Sequence, residues 1–407
     1  GAPESLQQMH DQAIESRNRL QLERATEQQA QELEDFRLDR QLERTKKQRE
    51  DEKQRDEWNG VHIHRLRLGE FFYKKASALC LTLPFYFSVF REAIGRLMRE
   101  AGIECLHVHD LPLLRVGLEV AESRSMPVVS DLHENWPAAV ANYDYARRLP
   151  GRWLISPQRW RDYERRYLPR AARIIVVVDE AKTRLGPYGV DLDRVSVVSN
   201  TVHVDEFEGF PRDAEIEARG QQSCTVAYLG GFDRHRGLET AVRAAAQLGD
   251  WPDFRLVLVG DGATRAALQR EAAELGVGPR VEFPGWQPFR LFPSYVAGAS
   301  VCLIPHLKCE HTDTTIPHKL FHYMLLERPV VATNCDPIER VVREEECGRI
   351  YPSGDAAALA QTLRELRSPE ARETLGRRGR AAVLSRYRWD RTEQTLLQLY
   401  DGLARRR

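Results

Sequence analysis

The sequence predicts an α/β protein made of two doubly wound domains in tandem, with a charged helical segment in front of them. Short runs of β-branched residues alternate with segments of helical spacing, a pattern typical of βαβ units and a parallel sheet. The alternation restarts after a polar stretch at residues 205–222, which indicates a second domain of the same kind. Residues 1–57 differ in composition, because they are rich in Gln, Glu and Arg and contain no Gly or Pro after Pro3.

The N-terminal segment, residues 1–57, is predicted to form a solvated helix or a weak coiled coil. Between Glu43 and Glu57, twelve of fifteen residues are charged. The leucines before them keep no clean heptad, so the segment has no apolar face wide enough for independent folding. Two interpretations stay open: an arm for self-association or partner binding, and a plain charged extension.

The first domain is predicted to span residues 58–204, the second residues 205–385, and a C-terminal crossover helix residues 386–407. Strands of the first domain are predicted at residues 61–66, 103–107, 127–130, 174–178 and 195–198. Those of the second are predicted at residues 225–229, 255–259, 281–283, 301–304 and 330–333. Ligands of such sheets bind beyond the carboxyl ends of the strands, so the two domains are expected to face a ligand-binding cleft.

Composition excludes several classes of protein. The 60 basic and 60 acidic side chains cancel, whereas a dedicated nucleic-acid binder shows a basic excess. The seven scattered cysteines form no CxxC pair, which disfavours a disulfide framework or a zinc ribbon and favours a reducing cytoplasm. No apolar run reaches the ~20 residues of a membrane-spanning helix. We expect a cytoplasmic protein, with peripheral contact at the inner face of a membrane as an alternative.

Glycine-rich turns follow three predicted strands of the second domain. Gly230 and Gly231 precede Arg236 and the start of a helix. Glycines admit a bulky anion close to the backbone, the helix start offers free N–H groups, and arginine binds phosphate in a bidentate manner. The segment 260–262 (Gly-Asp-Gly) and Gly285 follow the next two strands. The alternative for each is an ordinary tight turn between a strand and a helix.

The segment 305–323 carries hydroxyls, imidazoles and a lysine at the start of a predicted helix. Its candidate ligand-binding residues are Thr314, Thr315, His318, Lys319 and His322. The first turn of this helix is a second candidate anion site, with Lys319 as a point charge. His318 and His322 are four residues apart and follow His311, so a metal site is conceivable. No HExxH glutamate or suitably spaced cysteine accompanies them, which favours hydrogen-bonded histidines at a cleft.

His133 ends a predicted strand of the first domain between Asp131 and Glu134. Such an imidazole can bind a hydroxyl or position a substrate, and a structural histidine is the alternative. His107 and His109, beside Asp110, form a second polar strand end with the same two interpretations. The chain has neither a Gly-x-Ser-x-Gly elbow nor a Walker sequence, which disfavours a serine hydrolase and a P-loop nucleotidase.

Taken together and in order, these motifs resemble those of GT-B glycosyltransferases of family four. This family is retaining and depends on nucleotide sugars. The resemblance covers about residues 60–407, and it is carried by the segments 131–134, 197–200, 228–238, 256–262, 281–285, 317–324 and 329–332. It implies two Rossmann-like domains, an acceptor domain followed by a nucleotide-sugar domain.

The resemblance also implies roles for residues. Arg236 and Lys319 would hold the donor diphosphate, His133 would face the transferred sugar, and Asn200 would lie near the interdomain hinge. Catalysis would stabilise the departing nucleoside diphosphate electrostatically, with no metal or other cofactor. The remaining donor-binding residues would be Gly230, Gly231, Gly260, Asp261, Gly262, Gly285, Thr314, Thr315, His318 and His322.

The chain departs from this family in two respects. A pair of glutamates that the family carries is replaced by Thr314 and His322, although an imidazole can still bond a ribose hydroxyl. The first strand, glycine-rich loop and helix of the acceptor domain have no counterpart before Gly60. A sheet without that unit exposes an edge and apolar surface, which the N-terminal segment, a partner chain or a membrane would have to cover.

The resulting prediction is transfer of a hexosyl group from a nucleoside diphosphate sugar to a glycan or a lipid-linked acceptor, as in cell-envelope polysaccharide biosynthesis. The alternatives are a catalytically degenerate GT-B scaffold that binds nucleotide or glycan, and a nucleotide-sugar epimerase. The epimerase would need acid/base carboxylates, for which only Asp131 and Glu134 are candidates. Aromatic residues beside Lys74 and Lys75, within residues 71–90, are compatible with a membrane interface; a helix packed on its own sheet is the alternative.

Overall fold

The computed structural model describes residues 55–66, 77–142, 146 and 151–405. It separates into two compact units, residues 1–70 and residues 71–407, and each is described by itself. The helix or coiled coil predicted for the N-terminal segment lies outside the described residues up to position 54, and so do Lys74 and Lys75.

The described part of the first unit is an antiparallel hairpin of β1 (Arg55–Trp58) and β2 (Val61–His64). Asn59 and Gly60 connect the strands with φ values of 49° and 79°. An Asn-Gly pair favours this left-handed turn between strands. The strand predicted at residues 61–66 is present as β2, but it pairs with β1 in this hairpin and is not, as predicted, a strand of the first parallel sheet. The helix predicted through residue 57 is wrong at residues 55–57, because the turn pairs them with β2.

A parallel sheet of four strands, ordered β3-β4-β5-β6, forms the first half of the second unit. Its strands are β3 (Leu106–His109), β4 (Val128–Leu132), β5 (Arg173–Val176) and β6 (Val195–Val197). Its helices are α1 (Phe85–Glu100), α2 (Leu114–Glu122), α3 (Trp136–Asn142), α4 (Gly151–Leu154), α5 (Pro157–Tyr167) and α6 (Asp179–Leu185). β3 is an edge strand, and the described residues supply no strand beyond it.

A second parallel sheet, ordered β12-β11-β10-β7-β8-β9, forms the other half. Its strands are β7 (Cys224–Leu229), β8 (Phe254–Val259), β9 (Val281–Gly285), β10 (Val301–Ile304), β11 (Val330–Thr333) and β12 (Gly348–Tyr351). Its helices are α7 (Val204–Gly209), α8 (Ala214–Gln221), α9 (Leu238–Ala246), α10 (Arg265–Glu274), α11 (Phe292–Gly298), α12 (Lys319–Leu325), α13 (Asp336–Glu344) and α14 (Ala356–Glu365).

Both doubly wound sheets predicted from the sequence are therefore confirmed. The strands β4, β10 and β11 are buried along their whole length, as expected when helices cover both faces of a parallel sheet. Two details differ from the prediction. The polar stretch at residues 205–222 contains α7 and α8, and the second sheet has an additional edge strand, β12.

Two long helices, α15 (Pro369–Arg386) and α16 (Trp389–Ala404), close the chain. Leu399 of α16 packs with Val129, Ile175 and Val198 of the first sheet and its margin. The chain therefore returns to its first sheet after completing the second, and the domain bounds with a crossover helix at residues 386–407 stay a prediction. Among the described residues, no helix combines the length and the apolar content needed to cross a bilayer.

Candidate active site

A cavity of about 420 Å³ is lined by residues that follow strands of both parallel sheets. The predicted site residues that line it are His133, Asn200, Gly230, Gly231, Arg236, Thr315, His318, Lys319 and His322. The other lining residues are Asp110, Glu134, Leu229, His235, Phe289, Phe292, His306, His311, Thr312, Ile316 and Pro317. The predicted cleft at the strand ends is therefore present, and most of the predicted residues meet in it.

A larger hollow, of about 760 Å³, is a weaker candidate for a site. Arg340 and Glu180, which line it, form an ion pair with a 2.8 Å N–O distance. Glu310 is paired with Arg161 at 2.8 Å. Because these charges are already paired with each other, they attract a ligand less than the charged groups of the 420 Å³ cavity do.

The first wall of the cavity is built by the neighbouring ends of β3 and β4. Their register places His109 opposite Asp131, and the two-residue period of a strand puts His107 on the same face as His109. One carboxylate oxygen, Oδ2 of Asp131, lies 2.9 Å from Nε2 of His107, 3.2 Å from Nε2 of His133 and 3.4 Å from Nδ1 of His109. We describe this convergence as a hydrogen-bonded cluster.

The cluster holds opposite charges at the cleft. Burial favours the protonated form of Asp131, but hydrogen bonds from His107 and His133 outweigh it, so the pKa of Asp131 lies below its ordinary value. The hydrogen bond to Asp131 raises the pKa of His133 above its ordinary value, although burial opposes the change. His133 is therefore the imidazole most disposed to carry a proton at this wall.

The backbone of His133 is held from two sides. Its N–H donates to the carboxylate of Asp110, a residue whose own φ is 60°. The Thr315 hydroxyl donates to the His133 carbonyl at 3.4 Å. Because Thr315 belongs to the second half of the unit, this bond joins the two walls directly beside the imidazole.

Lys319, the first residue of α12, dominates the second wall. Its Nζ atom is buried and has no hydrogen-bond partner in the described part of the chain. Nζ lies 3.9 Å from the centroid of the Tyr228 ring. Burial, together with the nearby charge of Arg236, holds the pKa of Lys319 well below its ordinary value. A buried ammonium without a hydrogen-bond partner is costly, so this wall is incomplete without an anion.

Arg236 and three imidazoles surround the same space. Nη1 of Arg236 lies 3.1 Å from Nε2 of His306, whereas its buried Nε has no partner among the described residues. Burial lowers the pKa of His235 to about 3 and that of His311 to about 4. His306 is completely buried, and its pKa is lowered for the same reason. The imidazoles are therefore neutral, the guanidinium of Arg236 is the fixed positive charge of this wall, and Lys319 becomes a second charge when an anion favours its protonated form.

The glycine turns make room for these cations. Gly230 has a φ of 140°, and a Cβ built on it would overlap Nζ of Lys319. Gly260 and Gly262 also have positive φ, and a Cβ on either would collide with the backbone of the Gly230 turn. Together with Asp261 and Gly285, they lie behind this turn and do not line the cavity. The donor-binding role predicted for these four residues stays a prediction.

The segment that leads into α12 supplies the base of the cavity. His322 stacks on Phe207 with ring centroids 4.3 Å apart and meets the ring of Phe289 at 5.5 Å. Burial lowers the pKa of His322 to about 3. The Thr314 hydroxyl donates to the carbonyl of Glu310 at 2.7 Å, and Thr314 does not line the cavity.

Two further predicted residues form bonds across the cleft. Asn200 donates to the carbonyl of Ile316 at 3.0 Å, which fits its predicted position near the interdomain hinge. Nδ1 of His318 lies 3.4 Å from the carbonyl of Thr201. His322 thus stacks on aromatic rings and His318 faces a carbonyl, and the prediction that the two imidazoles bind no metal stays a prediction.

Sequence reasoning missed His306, His235 and Phe289 as site residues. His306 follows β10 within two residues, so the strand-end rule could have found it. His235 lies inside the recognised turn between Gly231 and Arg236, but its burial was not evident. Phe289 carried no local signal, because its contact with His322 depends on the packing of separate segments.

Two family models match this chain. Residues 46–206 match the model described as Glycosyltransferase Family 4, and residues 223–368 match the model described as Glycosyl transferases group 1. The first covers the hairpin and the four-stranded sheet with its helices. The second covers the six-stranded sheet, including the Gly230 turn and α12. Each half of the site is therefore contributed by one matched region.

Curated relatives carry the names of glycosyltransferases. The chain is 30% identical to the D-inositol 3-phosphate glycosyltransferase of Acidothermus cellulolyticus over 353 residues, which is 80% of this chain and 74% of the relative. It is 28% identical to the 2-deoxystreptamine glucosyltransferase of Streptomyces kanamyceticus, over 67% of this chain and 70% of the relative. With the phosphatidyl-myo-inositol mannosyltransferase of Mycobacterium leprae it shares 26% identity over 76% of each chain.

Solved structures share the fold. Sucrose-phosphate synthase from Thermosynechococcus elongatus superposes with a TM-score of 0.72 at 23% identity, covering 88% of this chain and 87% of the other. Anabaena HepE in complex with UDP-glucose superposes with a TM-score of 0.61 at 15% identity, covering 78% and 81% of the two chains.

Proposed function

Since this chain belongs to the family-4 type of GT-B glycosyltransferases and is itself a glycosyltransferase, we propose that it transfers a hexosyl group from a nucleoside diphosphate sugar to a hydroxyl of a glycan or lipid-linked acceptor. The observation that carries the donor class is the buried ammonium of Lys319, left without a hydrogen-bond partner beside Arg236. A diphosphate supplies the two negative charges that this pair of cations lacks.

The proposed chemistry is electrostatic stabilisation of the leaving group. As the sugar–phosphate bond breaks, negative charge grows on the diphosphate, and preorganised cations aimed at that charge lower the barrier. Lys319 and the guanidinium of Arg236 are already desolvated, so they need little reorganisation. The Gly230 turn leaves backbone next to the ligand. The complex of the related HepE fold with UDP-glucose supports a uridine nucleotide as the first donor to test.

His133 is proposed to face the transferred sugar from the opposite wall. Its side chain is 45% exposed and lines the cavity, whereas its backbone is held by Asp110 and Thr315. We propose retention of the anomeric configuration, which the resemblance of the motifs to the retaining family supports. We further propose that transfer needs neither a metal nor another cofactor, since Lys319 and Arg236 can supply the positive charge.

A peripheral membrane contact is proposed for the first half of the unit. Leu83, Phe85 and Trp153 are exposed apolar side chains, and Trp153 has 81% of its surface accessible. The hydroxyl of Thr82 donates to the carbonyl of Leu154 at 2.6 Å, so the two segments that carry these residues are adjacent. Exposed aromatic and aliphatic side chains of this kind suit a membrane interface and a lipid-linked acceptor. Self-association through residues 1–57 stays an expectation.

The first experiment measures thermal stabilisation by UDP, GDP, ADP and their sugar conjugates, with and without a chelator. At about 100 times Kd, a ligand that binds only the folded state stabilises it by about 2.7 kcal/mol. A shift with one nucleotide series that is insensitive to the chelator, followed by detection of the transferred sugar, would support the proposal. Binding without any transfer would favour the scaffold, and no binding at all would contradict the assignment of the diphosphate site.

Arg236→Ala gives the matched test of the diphosphate site, with Arg234→Ala as its control. Arg234 lies in the same turn but is exposed and does not line the cavity. Charge-assisted hydrogen bonds contribute about 1.5–3 kcal/mol, so we expect Arg236→Ala to weaken nucleotide binding about 10- to 100-fold. Arg234→Ala should leave the affinity unchanged. Equal effects of the two variants would show that general charge, not a contact, attracts the nucleotide.

A further inference from the structure

We propose that Asp131 is a positioning residue, which orients the His133 imidazole, and that Tyr400 of the C-terminal helix α16 acts on Asp131 through His107. The inference rests on the proposed function, because it gives the orientation of the imidazole that faces the sugar. It extends that function by making α16, which does not line the cavity, part of the apparatus that prepares the site.

The first step is the dependence of His133 on Asp131. The Asp131 side chain is only 8% exposed, and its Oδ1 has no hydrogen-bond partner in the described part of the chain. The whole carboxylate is therefore stabilised through Oδ2, which His107 and His133 share. Since Nε2 of His133 is committed to Asp131, Nδ1 is the ring nitrogen left for a ligand in the cleft.

The second step is the choice of tautomer at His107. Nδ1 of His107 forms a hydrogen bond with the Tyr400 hydroxyl. A neutral imidazole has one N–H donor and one acceptor nitrogen. When Tyr400 donates to Nδ1, the N–H of His107 must lie on Nε2, the atom 2.9 Å from Asp131. Tyr400 thereby selects the tautomer that donates to the carboxylate.

The third step is the origin of Tyr400. It follows Leu399, which anchors α16 on the first sheet, and its ring stacks on His107 with centroids 6.2 Å apart. Tyr400 and His107 are 293 positions apart in the chain. The network is therefore complete only when α16 has docked, so folding of the C-terminus and preparation of His133 are linked.

Other charged groups also act on His133. His109 faces Asp131 at 3.4 Å, the charges of Asp110 and Glu134 raise the pKa of His133, and His318, just before α12, interacts with His133 electrostatically. These groups are unchanged in the variants below. A difference between variants in the titration of His133 therefore reports the network through Asp131.

The test compares the wild type with Asp131→Asn, Tyr400→Phe and Thr392→Val. Thr392 is the matched control, because its hydroxyl joins α16 to Thr201 at 2.9 Å without touching His107. NMR follows the titration of the His133 imidazole, and the pH profile of transfer is measured with the donor found in the thermal screen. Donor affinity is measured separately.

We expect Asp131→Asn to lower transfer about 100-fold, the lower end of what a positioned acid or base contributes, with donor affinity unchanged. Its His133 should titrate at lower pH, because the carboxylate that favours its protonated form is gone. Tyr400→Phe should lower transfer about two- to tenfold, the equivalent of one hydrogen bond. Its His133 should titrate at higher pH, because His107 without the Tyr400 hydrogen bond donates less firmly to Asp131, which then binds His133 more tightly. Thr392→Val should change neither property.

Two results would overturn the inference: a Thr392→Val variant as impaired as Tyr400→Phe, or titrations of His133 that are the same in all four proteins. Tyr400→Phe keeps the test decisive even where the buried Asp131→Asn variant fails to fold. The NMR titration needs no turnover. A protein without transfer activity would therefore contradict the proposed function and still leave the network measurable.

Discussion

Lys319 is the residue whose environment differs most from that of an ordinary lysine. Its ammonium is buried, lies against the Tyr228 ring, and shares its surroundings with Arg236. Burial of the amine and the charge of Arg236 outweigh the Tyr228 ring, whose face favours the ammonium, so the neutral form is favoured in the absence of an anion. A ligand carrying negative charge reverses this balance, because it restores the pKa of the amine.

Binding of a nucleoside diphosphate should therefore be accompanied by proton uptake. Calorimetry near pH 8, in two buffers of different ionisation enthalpy, measures the number of protons taken up. We expect net uptake in the wild type, because the lowered pKa of Lys319 rises when the anion binds, and none in Lys319→Met. Lys182→Met, in α6, is the control and should behave as the wild type. Binding without uptake would mean that Lys319 is already charged in the free protein.

Gly230 explains how such a lysine is accommodated. Its φ of 140° is in the region that L side chains rarely adopt, and a Cβ would overlap the amino group of Lys319.

We expect Gly230→Ala to destabilise the protein by about 1–3 kcal/mol, the cost of a strained backbone position, and to abolish nucleotide binding. Gly249→Ala is the control, since nothing lies within 4 Å of its added Cβ. Urea denaturation and nucleotide titration measure the two effects, and retained binding in Gly230→Ala would contradict the role of the turn.

At the scale of elements, the sequence predicted what local pattern controls and missed what packing controls. The buried strand β10 was found because its apolar run is continuous. The hairpin turn at Asn59 and Gly60 carried a local signal that the surrounding charge obscured. The stacking of His322 on Phe207 could not be predicted, because it joins α12 to α7 across 115 positions.

The site shows the same division. Strand-end positions placed His133, Gly230 and Arg236 correctly in one cleft. Burial decides the chemistry of the others, and burial is a property of the assembled fold. His306 is 2% exposed and Nζ of Lys319 is buried without a hydrogen-bond partner among the described residues, and the sequence around them does not show this burial. Thr314 was placed in the donor site by resemblance, whereas its hydroxyl satisfies the backbone of its own loop.

The packing of α16 on the first sheet can be tested directly with two leucines of this helix. Leu399 is 5% exposed and packs on Val129, Ile175 and Val198, whereas Leu397 on the same helix is 49% exposed. Truncating a buried leucine costs about 2–5 kcal/mol. We expect Leu399→Ala to lower the thermal midpoint and to accelerate hydrogen exchange in α16, and Leu397→Ala to do neither. Unchanged exchange in Leu399→Ala would show that other contacts hold the helix.

At the scale of the whole second unit, the two sheets are connected through the site itself. Thr315 bonds the His133 carbonyl and Asn200 bonds the Ile316 carbonyl at the cavity, and a further link, the ion pair of Arg340 with Glu180, lies in the larger hollow. Groups that line the cleft therefore serve both stability and ligand binding. Several histidines around the cleft are buried in their neutral form. Their burial makes the stability of the fold depend on pH.

Burial lowers the pKa of four histidines of the site, His235, His306, His311 and His322. The pKa falls to about 3 in His235 and His322 and to about 4 in His311. In the unfolded chain the pKa of a histidine is about 6.5. Between these values the unfolded chain binds more protons than the folded one, so stability is lost as the pH falls, by about 1.4 kcal/mol per pH unit for each histidine. His133 has a raised pKa and the opposite sign, but burial also lowers the pKa of His109 and His318, so it is one group against six. We expect the thermal midpoint to fall steeply between about pH 6.5 and about pH 4.5, with a shallower fall in His311→Gln. A thermal midpoint that does not change over this range would show that these imidazoles are not buried in the folded protein. It would also contradict the conclusion that neutral imidazoles surround the diphosphate site.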